Sequence, residues 1–373
     1  MDYRFKIMYV LGTVLVVATH CGNGGLELLD NWFAPYSFHL AIFMFVSGYF
    51  YKSEVEAQPG KYLFKKVKTL LVPLYIWNLC YAVLVWLLSH KGFTIGGPVS
   101  LYSLIVAPVT NGHQFVYNMG GWFVIPLFMV QVGNMLLRKA VGRLFPRCRE
   151  WLWFLLYFLM GMAGISLAAS GYRTGWWLVL VRMLYFLPFY SLGTLYRRKL
   201  EQYDRRIPGL LYFSIILLCQ LVILYFYRKP PNYIPSWCNT FTDGPFMPFV
   251  AGILGLAFWL RICKILEPAI GKNKYIHLIA DNTYAIMIHQ FLGFMAVKTV
   301  FALFSKFTPF FGDFDMGSYK GEIWYYYLPG GLEQMHILYF VAGIALPILI
   351  QLTVNKVQNR VKENLWCKPA AKP

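Results

Sequence analysis

Three histidines, one arginine and a short lysine run carry most of the chemistry this sequence can offer. His20 closes an apolar stretch with no charge between Ile7 and Thr19, and between Phe38 and Tyr51 only His39 can become cationic. An imidazole titrates near pH 6.5, so it can take a proton from a hydroxyl at neutral pH. His289 lies about eight residues into another apolar stretch, in Asn282-Thr283-Tyr284-Ala285-Ile286-Met287-Ile288-His289-Gln290. Each ring taken singly could equally be a satisfied core or interfacial histidine. Arg182 stands in Trp176-Trp177-Leu178-Val179-Leu180-Val181-Arg182-Met183-Leu184-Tyr185. An arginine at the centre of an apolar helix costs about 2.5–3.5 kcal/mol, which calls for a phosphate or carboxylate partner unless the side chain snorkels to an interface. Lys61, Lys65 and Lys68 recur at i, i+4 and i+7 and share a helix face. With Lys66 they could hold a polyphosphate, or simply be positive-inside charge.

The elements that must position these groups are apolar helices. With 58% hydrophobic, 19% aromatic and 13% charged residues, the 373-residue chain has too little polar surface for two or three soluble domains. A membrane crossing takes about 20 apolar residues, and ten stretches qualify: about 5–21, 36–52, 69–89, 120–137, 151–171, 176–196, 209–227, 246–263, 282–304 and 335–355. The expected fold is therefore an all-α, polytopic membrane bundle of about ten transmembrane helices. An even count puts both termini on one side, and if that side is the cytoplasm it receives 26 of the 34 lysines and arginines against six outside, with Arg182 and Lys298 inside spans. That asymmetry predicts cytoplasmic N- and C-termini. It also accounts for the net charge of +18 without nucleic acid. His20 then lies roughly 20–24 Å up a hydrocarbon layer about 30 Å thick, and His39, returning from the outer side, sits at a similar depth.

The two long outward loops, Lys91–Met119 and Ser305–Gln334, are rich in glycine, proline and aromatics. Interface anchoring explains most of those rings, and a sugar-binding platform is the sharper alternative. Cys21, Cys80, Cys148, Cys219, Cys238, Cys263 and Cys367 form no CxxC pair and no metal-like spacing with histidine, so they read as apolar fillers. His20-Cys21-Gly22-Asn23 is unlike a leader-cleavage site. No internal repeat or appended soluble domain is evident, so residues 1–373 are expected to form a single membrane domain.

Several of these segments together resemble the integral-membrane acyltransferase-3 family of bacteria, whose members O-acylate extracytoplasmic glycans with cytoplasmic acyl-CoA. The first helix ending Val14-Leu15-Val16-Val17-Ala18-Thr19-His20 is similar to the family's opening helix. Phe38-His39-Leu40 through Phe45-Val46-Ser47-Gly48-Tyr49 is the most specific match. Lys65-Lys66-Val67-Lys68 through Leu71-Val72-Pro73-Leu74-Tyr75-Ile76-Trp77 resembles the basic approach to the third helix, and Gly120-Gly121-Trp122-Phe123-Val124 and Tyr284-Ala285-Ile286-Met287-Ile288-His289 are fainter echoes. One position departs from the pattern. Eleven residues before His20, where the family usually has arginine or lysine, stands Tyr9, with Lys6 and Arg4 below it.

The resemblance implies an acyl-CoA-dependent acyltransferase with His20 as general base or transient acyl carrier and His39 as its supporter. Lys65, Lys66 and Lys68 would neutralise the phosphates of CoA, joined along the acyl path by Arg182, while Trp122 and His289 would meet the substrate. The implied donor is acyl-CoA, acetyl-CoA by default with succinyl or another short acyl open, and no cofactor or metal is bound permanently. The implied acceptor is a cell-surface or lipid-linked saccharide, and the implied setting is the bacterial cytoplasmic membrane, among its lipids. A transporter or flippase of such a saccharide is the competing reading, opposed by the absence of a repeat and the scarcity of ionisable groups for ion coupling.

Overall fold

The computed structural model describes residues 2–21, 32–145 and 149–366. Within them the chain is helical, without strands. In order come α1 (Arg4–His20), α2 (Pro35–Tyr49), α3 (Pro59–Lys66), α4 (Val72–Ser89), α5 (Ala107–Thr110), α6 (Val124–Leu144), α7 (Glu150–Ala169), α8 (Gly175–Leu195), α9 (Glu201–Asp204) and α10 (Gly209–Tyr227). Then come α11 (Met247–Ile270), α12 (Lys274–Asp281), α13 (Thr283–Phe304), α14 (Met316–Gly321) and α15 (His336–Trp366). A π-helical turn, Val67–Leu71, joins α3 to α4. Gly22, Asn23, Cys148 and Cys367 lie outside the described residues.

Among the described residues, eight helices are long and apolar enough to cross a membrane, and they coincide with eight of the ten predicted spans. The other two form where expected but are shorter, with 17 residues in α1 and 15 in α2. At 1.5 Å per residue these reach about 26 and 22 Å, less than the hydrocarbon thickness. Position explains the length. In α2 every residue except Tyr36 and Ser47 is buried, so it meets protein rather than lipid, and nothing obliges it to match the bilayer. The helix also stops at Tyr49, short of the expected residue 52, because the chain turns at Phe50 into a 3-10 segment, Ser53–Glu56.

The core is built on α2 and α8, with α1, α6, α7 and α11 around them, while α13 pairs with α15. Burial separates inner from outer helices. In α8, 83% of the most apolar stretch is buried; in α10, with a higher mean hydropathy of 2.3, only 17% is. The α2–α8 crossing is close enough that a Cβ on Gly48 would overlap the Tyr190 carbonyl oxygen, and one on Gly193 the Phe45 carbonyl oxygen. Thr194 Oγ1 donates to the Gly48 carbonyl at 2.9 Å, locking the register.

One end of the bundle is tied by ions. Arg4 pairs with Glu201 at 2.6 Å, Tyr49 donates to the same carboxylate at 2.8 Å, and Lys6 pairs with Asp281. Asp204 holds Lys264, and Arg261 at 3.6 Å. The opposite end of α1 carries His20.

Candidate functional site

The end of α1 leaves its last carbonyl groups without helical partners, and three side chains distant in the chain supply donors there. Tyr36 of α2 donates to the Thr19 carbonyl at 3.2 Å, Tyr326 donates to that of His20, and His336 Nδ1 of α15 donates to that of Cys21 at 2.6 Å. His20 is thereby fixed through its backbone before its ring makes any contact. The ring packs against Phe291 (centroids 5.4 Å apart) and Trp324 (5.9 Å), and Nδ1 lies 3.2 Å from Gln290 Oε1.

His39 arrives beside it from α2. Its Nδ1 donates to the Pro35 carbonyl, which leaves Nε2 as the acceptor nitrogen. His20 and His39 line one small cavity, about 30 Å³, with Tyr36, Trp122 and Ser236. The juxtaposition expected from the two short helices is therefore present.

Trp122 joins them, and Arg182 lies behind it, its guanidinium 4.6 Å from the indole centroid. The arginine is fully buried, and among the described residues its partners are backbone carbonyls: Nη1 donates to that of Asn111 at 3.0 Å and Nε to that of Ser236 at 3.0 Å. Arg182 acts as a strut tying two loops over the cavity. Arg182→Lys keeps the charge but loses the planar fork. It is expected to cost about 2 kcal/mol, read as a lower thermal midpoint in detergent, with Arg182→Ala at least as low.

His289 goes elsewhere. It is buried on α13, one residue before Gln290, with Tyr81 Oη 2.7 Å from its Nδ1 and Trp77 edge-on at 4.2 Å, so it faces α4 and not the cavity.

The lysines line a second, larger cavity of about 600 Å³ at the other end of α1. Lys52, Lys61, Lys65 and Lys66 are on its wall, with Tyr9 and Gln131. Lys68 is not among the lining residues. It falls inside the π-helical turn, where the wider winding breaks the i, i+4, i+7 register set by Lys61 and Lys65. Between the cavities stand Tyr9, Phe43 and Phe123, with successive ring centroids 5.7 and 5.9 Å apart.

The family model of acyltransferase-3, described as an acyltransferase domain, matches residues 3–356. The chain belongs to that family. It is accordingly a multi-pass membrane acyltransferase. No curated protein and no solved structure matches it.

In this acyltransferase the cation missing at Tyr9 is not restored from lower on α1, because Arg4 and Lys6 are both held in ion pairs. The positive charge facing Tyr9 comes instead from the lysines across the cavity. Sequence reasoning missed Gln290 and His113. The latter is stacked between Trp122 (6.4 Å) and Trp237 (4.3 Å). Burial, reinforced by the nearby Arg182 charge, lowers its pKa to about 3, so the ring is neutral. A histidine in a Gly- and aromatic-rich loop was the available signal. The five described cysteines, Cys21, Cys80, Cys219, Cys238 and Cys263, are free thiols.

Proposed function

We propose that this membrane acyltransferase moves a short acyl group, acetyl foremost, from cytoplasmic acyl-CoA to a hydroxyl of an extracytoplasmic or lipid-linked glycan, with His20 as general base. The supporting observation is the two-ended layout of α1. Tyr9 lines a lysine-walled cavity, and eleven residues on, about 16 Å, His20 lines another beside His39. In this reading the lysine end faces the cytoplasm with both termini, the site opens outward, and the membrane is the bacterial cytoplasmic one.

Lys65 and Lys66, with Lys52 and Lys61, neutralise the phosphates of CoA. The acyl-pantetheine arm passes the Tyr9–Phe43–Phe123 rings toward His20. His20 takes the proton of the acceptor hydroxyl, and the oxygen attacks the thioester carbonyl carbon. The C–S bond breaks, and the departing thiolate takes the proton from the imidazolium. An acyl ester and free CoA thiol result, and His20 is again neutral.

The test is thiol release from acetyl-CoA by purified protein in proteoliposomes, with and without an envelope glycan extract. Glycan-stimulated release supports the proposal; folded protein that releases no thiol from any short acyl-CoA overturns it in favour of saccharide transport. In the same assay Lys66→Ala is expected to raise KM for acetyl-CoA about tenfold or more, the loss of one charge-assisted contact. Lys68→Ala is expected to leave KM within about twofold, the difference being checked by substrate titration at low and high salt.

A further inference from the structure

We infer that Gln290 is a positioning residue that sets the tautomer of His20, leaving Nε2 as the atom that takes the acceptor's proton. The inference rests on the reading of His20 as the base. Gln290 is fully buried on α13. Its Nε2 donates to the Met287 carbonyl at 3.2 Å, so the oxygen is the end turned to the imidazole, 3.2 Å from Nδ1. An amide oxygen only accepts. Nδ1 must therefore carry the hydrogen, and the lone pair is on Nε2. His20 lines the small cavity and Gln290 does not, which places the amide behind the ring and the reaction space in front of it.

The local backbone supports this arrangement. A Cβ on Gly120 would overlap the Met287 carbonyl oxygen and come within 3.3 Å of Gln290 Nε2, so the bare glycine leaves both where they are. The logic is that of the orienting third group in nucleophile–base–orienter sites, with a neutral amide in place of a carboxylate. At this depth the amide directs the proton without the desolvation cost of a second buried charge. Among the described residues, the titratable groups facing His20 are Tyr36 and His39 of α2, His113 and Arg182 behind Trp122, Cys21, Tyr326 and His336. None of these is a carboxylate that could orient the ring instead.

The experiment combines solid-state NMR of ¹⁵N-histidine-labelled protein in proteoliposomes with kinetics on acetyl-CoA plus envelope glycan extract. His20 is assigned by its loss in His20→Asn. At pH 8 the wild type is expected to show His20 protonated at Nδ1, and Gln290→Leu a mixture of tautomers. Gln290→Leu should lose about 10- to 100-fold in kcat, with KM for acetyl-CoA within about twofold. Gln290→Glu should keep the tautomer and raise the basicity of the ring, moving the acidic limb of the pH–rate profile upward by about one unit. A wild-type His20 protonated at Nε2 overturns the inference, as does wild-type kcat in Gln290→Leu together with an unshifted Gln290→Glu profile. Either result leaves the base itself standing. Full turnover in His20→Ala overturns the base, and the inference with it.

Discussion

His20→Ala is expected to lower glycan-stimulated thiol release from acetyl-CoA by about 10²- to 10⁴-fold, the range contributed by a positioned general base. The substitution removes the ring but not the carbonyl groups that Tyr36, Tyr326 and His336 hold at the end of α1. The helix end therefore stays pinned, and the variant should extract and unfold like wild type. That separation of folding from turnover makes the result interpretable. His39→Ala should have a smaller effect, because its bond to Pro35 leaves it lining the cavity as a neighbour of His20. Rates measured beside size-exclusion profiles decide the matter, and undiminished turnover in folded His20→Ala would refute the assignment.

The second large effect is on folding. Gly48→Ala and Gly193→Ala each drive a methyl group into a carbonyl oxygen across the α2–α8 crossing. Overpacking commonly costs about 1–3 kcal/mol, and here the obstacle is backbone, which cannot rotate aside. The cost should reach or exceed the top of that range, seen as loss of monodisperse protein after detergent extraction. Gly133→Ala on α6 has nothing within 4 Å of the new Cβ and should be neutral or gain up to about 1 kcal/mol through helix propensity. Equal recovery of Gly48→Ala and Gly133→Ala would mean that the two helices do not cross as described.

A long apolar run is a local property of the chain, which is why eight spans were legible in the sequence and coincide with the expected ones. Hydropathy does not distinguish lipid from protein as the surroundings. Thus α10, the most apolar of the eight with α15 next, is mostly exposed, whereas the short α2 lies at the centre. Arg182 was recognisable as a buried charge needing partners, but carbonyl oxygens of Asn111 and Ser236, 71 and 54 residues away, leave no mark in its neighbourhood of the chain.

By itself the sequence determined an all-helical membrane bundle, a family, and a histidine at the end of the first apolar helix, because composition, motif and run length are read residue by residue. The tertiary structure decided which polar groups meet. Successive helical residues point about 100° apart, so His289 and Gln290 face different neighbours, and only packing shows that α4 takes the first and α1 the second. It likewise decided that Lys66 lines the cavity and Lys68 does not, since Lys68 falls inside the π-helical turn, where the α-helical register of the lysine face is lost. Contacts between helices distant in the chain depend on all their faces at once, which no single segment contains.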